Sequence, residues 1–244
     1  MKKILVPTLI AAAIGSLACV AHAAEPESTL AFNAGVVSDY RYRGISQSRL
    51  EPALQGGVDY SDKSGFYVGA WGSTIKWIKD IGGDAPIELD LYGGYKGAVG
   101  DVAYDVGFLR YEYSGNKLNP NANTNEVYGA VTYGLFTAKY SHAISNLFGN
   151  ADSKNSYYLD LSANFDLGDG YTLTPHVGRQ MVKNSPSLSY NDYAITLGKD
   201  LGNGLSASLM LVDTNADKTL SAFQTPAGKF TGKSAAVVGL KYSF

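Results

Sequence analysis

From Tyr157 to Leu167, apolar and polar residues change places at every step. Tyr157, Leu159, Leu161, Ala163, Phe165 and Leu167 share one face; Tyr158, Asp160, Ser162, Asn164 and Asp166 share the other. Successive side chains of a β-strand point to opposite sides, so this spacing predicts a strand with one greasy and one wet face. Ile87, Leu89, Leu91 and Tyr95 oppose Glu88, Asp90, Tyr92 and Lys96 in the same manner. At the far end Ala236, Val238, Leu240, Tyr242 and Phe244 oppose Ala235, Gly239, Lys241 and Ser243. Nine further segments carry the pattern: Leu30–Tyr42, Ala53–Tyr60, Phe66–Gly72, Val102–Tyr113, Glu126–Tyr133, Phe136–His142, Tyr171–Gln180, Asp192–Lys199 and Leu205–Val212. One of them is ambiguous. Continuing the phase of Val102–Phe108 sets Arg110 and Glu112 on the apolar face, so either a bulge shifts the register or both stand above a membrane.

The connections sort by length. Long ones (Arg43–Pro52, Ser73–Pro86, Ser114–Asn125, Ala143–Ser156, Met181–Asn191, Asp213–Lys233) alternate without exception with short ones (Ser61–Gly65, Gly97–Asp101, Gly134–Leu135, Gly168–Gly170, Asp200–Gly204). Bacterial outer-membrane barrels have an even number of strands, short turns on one side and long loops on the other. The pattern therefore predicts an all-β fold, an up-and-down antiparallel transmembrane barrel of about 12 strands. A soluble barrel has no reason to sort its loops by side.

The first residues change the picture of compartment. Met1-Lys2-Lys3, an apolar stretch from Ile4 to Val20 and the small-x-small Ala21-His22-Ala23 read as a secretory signal peptide over residues 1–23, leaving a barrel over residues 24–244. The only cysteine, Cys19, lies in that leader; a lipoprotein reading would acylate it, but Ser16 stands where a leucine is usual. A chain cleaved after Ala23 has no disulfide and no thiolate zinc site. It also carries 18 basic against 22 acidic residues, which excludes a nucleic-acid partner. No later apolar run reaches the ~18 residues of a membrane helix. Nothing in the chain asks for a cofactor.

Aromatic residues gather at predicted strand ends: Tyr60, Phe66, Tyr95, Tyr104, Tyr133, Phe136, Phe165, Tyr171 and Phe244 beside the short turns, Tyr40, Tyr42, Tyr157 and Tyr193 at the opposite ends. Such rings favour the lipid–water boundary. Gly239, Tyr242 and Phe244 resemble the C-terminal signal that barrel-assembly machinery reads, although Val237 departs from the polar residue common there.

Charge marks the wet face. With Tyr40 and Tyr42 toward lipid, Arg41 and Arg43 fall to the lumen or its mouth, where a cationic element biases charge selection. The plainer reading is a structural salt bridge, to Asp39, Glu51 or Glu88. Asp39, Glu88, Asp90, Asp105, Asp160, Asp166 and Lys241 are the remaining candidates for a charged pore lining; in the bland reading the lumen acids pair with Lys96, Lys139 and Lys241.

Val37-Ser38-Asp39-Tyr40-Arg41-Tyr42-Arg43-Gly44-Ile45-Ser46-Gln47-Ser48 resembles the N-terminal signature of the proteobacterial TorF porin family. Pro52–Gly56, Gly65–Gly69 with Trp71, Glu88–Tyr95 and Tyr104–Gly107 extend the likeness, most specifically over the first third of the chain. Tyr113-Ser114-Gly115 and Gly72–Lys76 depart from it, in or near outer loops. The resemblance implies an outer-membrane channel and names no solute.

The expected function is passive diffusion of small hydrophilic solutes through a barrel set in outer-membrane lipid, with no catalytic and no metal site. Twelve strands leave a narrow passage that tyrosines or an inward-folded loop can obstruct. Two rivals stand beside it. A lipid hydrolase would use Ser141, His142 and nearby Ser145, but adjacent strand residues face opposite sides. A non-conducting surface or adhesion barrel would act through Ser73–Pro86 and Asp213–Lys233. His176 falls on the lumen side. Asp213-x-Asn215-x-Asp217 begins like a calcium loop, yet Lys218 and Gln224 replace the required Gly and Glu, leaving at most a loose divalent site.

Overall fold

The computed structural model describes residues 28–244, so the expected signal peptide and Cys19 lie outside the described residues. Among these, twelve strands follow in order: β1 (Thr29–Val37), β2 (Ala53–Ser61), β3 (Phe66–Thr74), β4 (Ile87–Val99), β5 (Val102–Glu112), β6 (Thr124–Tyr133), β7 (Phe136–Ala143), β8 (Tyr157–Ala163, resumed after Asn164 as Phe165–Gly168), β9 (Tyr171–Met181), β10 (Tyr190–Gly202), β11 (Leu205–Thr214) and β12 (Ala235–Ser243). Each bonds its sequence neighbours antiparallel, and β12 bonds β1, closing the cylinder as the alternation and loop sorting predict. The closing seam pairs Asn33↔Ser243 to Val37↔Gly239. It gains one rung below, where Phe32 and Phe244 exchange backbone hydrogen bonds of 2.8 and 3.0 Å and their rings stack at 5.8 Å. By contrast, β4 and β5 pair along their length, from Leu89↔Glu112 to Val99↔Val102.

The outer face is bare and apolar. Leu54, Val68, Ile195 and Leu211 are all at least half exposed, an arrangement that water penalises and lipid does not. The nine residues of β1, at about 3.3 Å each and tilted about 40°, project roughly 23 Å onto the barrel axis, close to the apolar band of such barrels. Tyr60, Phe66, Tyr133, Phe136, Tyr171 and Phe244 ring its short-turn end, all exposed. Lys199 lies over the Tyr171 ring at 4.0 Å, its ammonium drawn toward the turn rather than the band. The Arg110 ambiguity is also settled. Neither ladder of β5 shows a register shift, and Arg110 and Glu112 stand on the outer face at the long-loop rim, paired at 2.5 Å.

Short turns span residues 62–65, 100–101, 134–135, 169–170 and 203–204. In the first, the Ser64 hydroxyl and amide and the Ser28 hydroxyl all donate to Asp62, holding its carboxyl below the usual carboxylate range. The long connections are packed rather than loose. One carries the helix α1 (Trp77–Asp80), and apolar clusters around Ile75 and Ile78, around Tyr190 and Phe223, and around Leu147 and Val182 tie them to one another.

Candidate channel constriction

The first predicted strand ends early, and this corrects the reading of its tyrosines. At Ser38, whose amide still bonds Val238, the chain leaves the wall and turns inward. Asp39 organises the inward segment. Its carboxylate accepts from Ser46 Oγ (2.5 Å), Ser48 Oγ (3.1 Å) and Arg41 Nε (2.6 Å), gathering residues 39–48 into one knot. Arg41–Tyr42 then pairs with Ile45–Ser46 as a miniature hairpin. Its two-residue turn, Arg43-Gly44, has φ of 46° and 79°. Both values are positive, as a type I′ turn requires, and unfavourable for arginine.

Tyr40 and Tyr42 therefore do not face lipid; they are 2% and 7% exposed, inside the cylinder. Tyr40 packs edge-on against Trp71 and donates its hydroxyl to Glu88, which also accepts from Tyr113 at 2.6 Å. Tyr42 meets Tyr111 edge-on, their hydroxyls 2.6 Å apart. A buried tyrosine needs a partner for its hydroxyl, and lipid offers none, whereas the inner wall supplies carboxylates. Alternation alone did not show this preference.

Arg43 crosses to the far wall. One guanidinium nitrogen reaches both oxygens of Glu126 (2.7 and 3.0 Å), another reaches Gln180 Oε1 (2.6 Å), and the plane lies over the rings of Tyr42 and Tyr158. Gly44 touches the wall opposite: a Cβ there would come within 2.7 Å of the Asp192 Cβ. Arg41 binds the longest loop, donating at 3.0 Å to the carbonyls of Thr231 and Lys233 as well as to Gly44. Hairpin, walls and loop together fill the barrel near its long-loop end.

The arginines thus have partners. Arg41 takes Asp39, as the structural reading expected, and Arg43 takes Glu126, which it did not. Glu126, Gln180 and Asp192 are site residues that sequence reasoning missed. Each shares a strand phase with an inward residue (Tyr128, His176, Ala194), and that phase was the signal available. Glu88, Asp90, Asp105 and Asp160 lie on the inner wall, and Lys241 faces inward beside Ser206. Asp166 departs: it is exposed at the short-turn rim, where it caps the Gly168 amide at 2.9 Å. The expected acid–lysine pairs do not form, since among the described residues no ion pair involves Lys96, Lys139 or Lys241. His176 bridges Asp160 (3.1 Å) and Asp192 (2.8 Å) in the lumen.

The rival chemistry is not assembled. Ser141 is buried on the inner face, while His142 lies outside, between Tyr140 (3.0 Å) and Asn155 (3.2 Å). Asp213, Asn215 and Asp217 each bond a separate nearby backbone amide instead of converging. Gly239 pairs with Val37 on the seam, and Tyr242 and Phe244 stack at 5.6 Å on the outer surface.

Residues 21–244 match the model of a family described as "Bacterial protein of unknown function (Gcw_chp)". Among curated proteins none matches the chain. Among solved structures it is similar to a KdgM porin (TM-score 0.55, 9% identity, covering 88% of this chain and 98% of that one). It is likewise similar to a NanC porin (0.54, 12%, 88% and 99%). A "KdgM porin in complex with disordered oligogalacturonate" gives 0.54 at 9% identity, with the same coverage as the first. At these identities the likeness is one of fold.

Proposed function

This chain belongs to the Gcw_chp family, and we propose that it is an outer-membrane channel for passive diffusion of small hydrophilic solutes. One observation carries the reading: a closed cylinder is apolar over the outer band between its two rims, yet lined within by charged and hydroxyl-bearing side chains. Buried polar groups cost stability unless they are hydrogen-bonded, and in this lining Asp90 Oδ1 and Asp105 Oδ2 have no protein partner, which supports a hydrated interior. The lining is lopsided. Tyr67, Tyr92, Tyr111, Tyr128 and Tyr158 crowd the β3–β8 side, while the opposite side carries the small Gly35, Ser206, Ser208 and Gly239, along which solutes would pass once the hairpin is displaced.

The hairpin supplies the constriction. Arg41 and Arg43 hold it in place, so their influence on charge preference is exercised through its position as much as through their own charge. The TorF likeness of Val37–Ser48 supports the same reading, because it falls on this element. The C-terminal Gly239, Tyr242 and Phe244, at the seam, suit a handle for barrel-assembly machinery. A second reading is favoured by the packing of hairpin and loops across one mouth: a surface scaffold that conducts nothing.

Single-channel recording in planar bilayers separates the two. Stepwise conductance in the wild type, or in variants that dislodge the hairpin, is the expected result. Silence from folded wild type and from folded Arg43→Gln and Gly44→Ala variants alike overturns the channel reading.

A further inference from the structure

Lys96 and Asp105 sit directly opposite one another on β4 and β5, with side chains inside the barrel. Opposite charges on facing residues of an antiparallel ladder, with Cβ atoms about 5 Å apart, normally close into an ion pair. Here Tyr67 holds them apart. Its ring receives the Lys96 ammonium at 4.4 Å, and its hydroxyl donates to Asp105 Oδ1 at 2.6 Å. Tyr128 repeats the device one step along. Its hydroxyl donates to that of Tyr67, and its ring receives the Lys139 ammonium at 4.2 Å. Lys139 lies on the same ladder row as Asp105, separated from it by the small side chain of Ala130.

The result is a row, Lys96–Asp105–Ala130–Lys139, whose charges are fixed but not mutually satisfied. Asp105 is 6% exposed and its Oδ2 has no partner. Among the described residues neither ammonium makes a hydrogen bond or an ion pair. An isolated buried carboxylate oxygen between two half-buried ammonium groups is costly to maintain. What it offers in return is a donor and an acceptor of opposite sign on the inner wall, about one strand spacing apart.

We infer that this row is a binding station for small zwitterions, the chemical class of free amino acids. The ligand's ammonium sits on Asp105 Oδ2 and its carboxylate accepts from Lys96, or from Lys139 when the two charges are further apart. A plain anion or a plain cation satisfies half of the row and leaves the other half unpaired. The inference deepens the channel reading by naming a solute class for it, and it requires no covalent step.

Calorimetric titration of the detergent-solubilised barrel with glycine, acetate and methylammonium tests it. Glycine is expected to bind saturably and at least tenfold more tightly than either of the others. Lys96→Met and Asp105→Asn should each weaken glycine binding tenfold or more, the scale of one charge-assisted hydrogen bond. Tyr67→Leu keeps both charges but lets them pair, and should weaken binding as much. Acetate binding as tightly as glycine overturns the inference in favour of an anion site, and so does glycine binding unaffected by the folded variants. If a variant does not fold, the comparison of the three probes on wild type still decides. Silent bilayers with glycine binding intact would defeat the transport reading and leave the station; conductance with no glycine binding would do the reverse.

Discussion

Replacing Arg43 is the most informative single perturbation. Its side chain is 5% exposed and that of Glu126 is 1% exposed, so the pair is shielded from solvent screening. Removing one partner of such a pair leaves the other as an uncompensated buried charge, at about 3–5 kcal/mol. The barrel has no need to unfold to relieve this, because the hairpin can withdraw from the wall and let water reach Glu126. A bias of about 3 kcal/mol changes the ratio of seated to withdrawn hairpin by more than 100-fold. Arg43→Gln should therefore raise open probability in single-channel records by at least an order of magnitude if the wild type is mostly closed. Glu126→Gln should do the same from the other side. The double variant, lacking both charges, should return most of the way toward wild type, because two neutral amides can bond one another. Trp71, edge-on to Tyr40 at 5.5 Å, gives a second readout, its emission shifting when the ring leaves. A cycle with coupling below about 0.5 kcal/mol, within ordinary additivity, and unchanged conductance would refute the hairpin's role as the constriction.

The remaining expectations are simpler. Gly44→Ala, at φ 79° and facing Asp192, should mimic Arg43→Gln without altering charge, which separates position from electrostatics in bilayer recordings. Replacing Arg41 and Arg43 together by Gln should move reversal potential toward cations in a salt gradient; an unchanged value means that the arginines act only as struts. Leu91→Arg, on the lipid-facing side of β4, should cost about 2–4 kcal/mol in urea titrations of the bilayer-inserted barrel. The same change at inward Gln55 should cost far less. Asp62 should titrate below the ordinary carboxylate range by NMR and return toward it in Ser64→Ala. Because its folded pKa is depressed, what it adds to the turn is present above the unfolded pKa and lost as pH falls through the folded one.

The barrel was legible because a sheet with lipid on one side and water on the other forces period-two sequence, and loop length records which side each turn occupies. Strand ends were read within a few residues except at β1. There the alternation continues through Tyr40, Arg41, Tyr42 and Arg43 although the wall does not, since a two-residue hairpin has the same period as the strand it leaves. Only the Arg43-Gly44 turn, with Ser46 and Ser48 placed to bind Asp39, hinted at the departure. The partners Glu126, Gln180 and Asp192 were hidden for another reason. They meet across the lumen, at sequence separations of 83 and 137 residues from Arg43 for the first two, and periodicity assigns a face without saying what lies opposite. The unpaired Lys96 and Asp105 were hidden by a third route, because nothing in their strands shows that Tyr67 keeps them apart.

A cask is only as tight as its shortest joint, and in this one the joint between β12 and β1 is much lower than that between β4 and β5. Sideways pressure from the bilayer, or a visiting strand seeking backbone partners, would part the wall there first. The stacked Phe32 and Phe244 act as the lower latch on that joint, so trimming a single aromatic residue should loosen the whole vessel along one line while leaving every other stave in place.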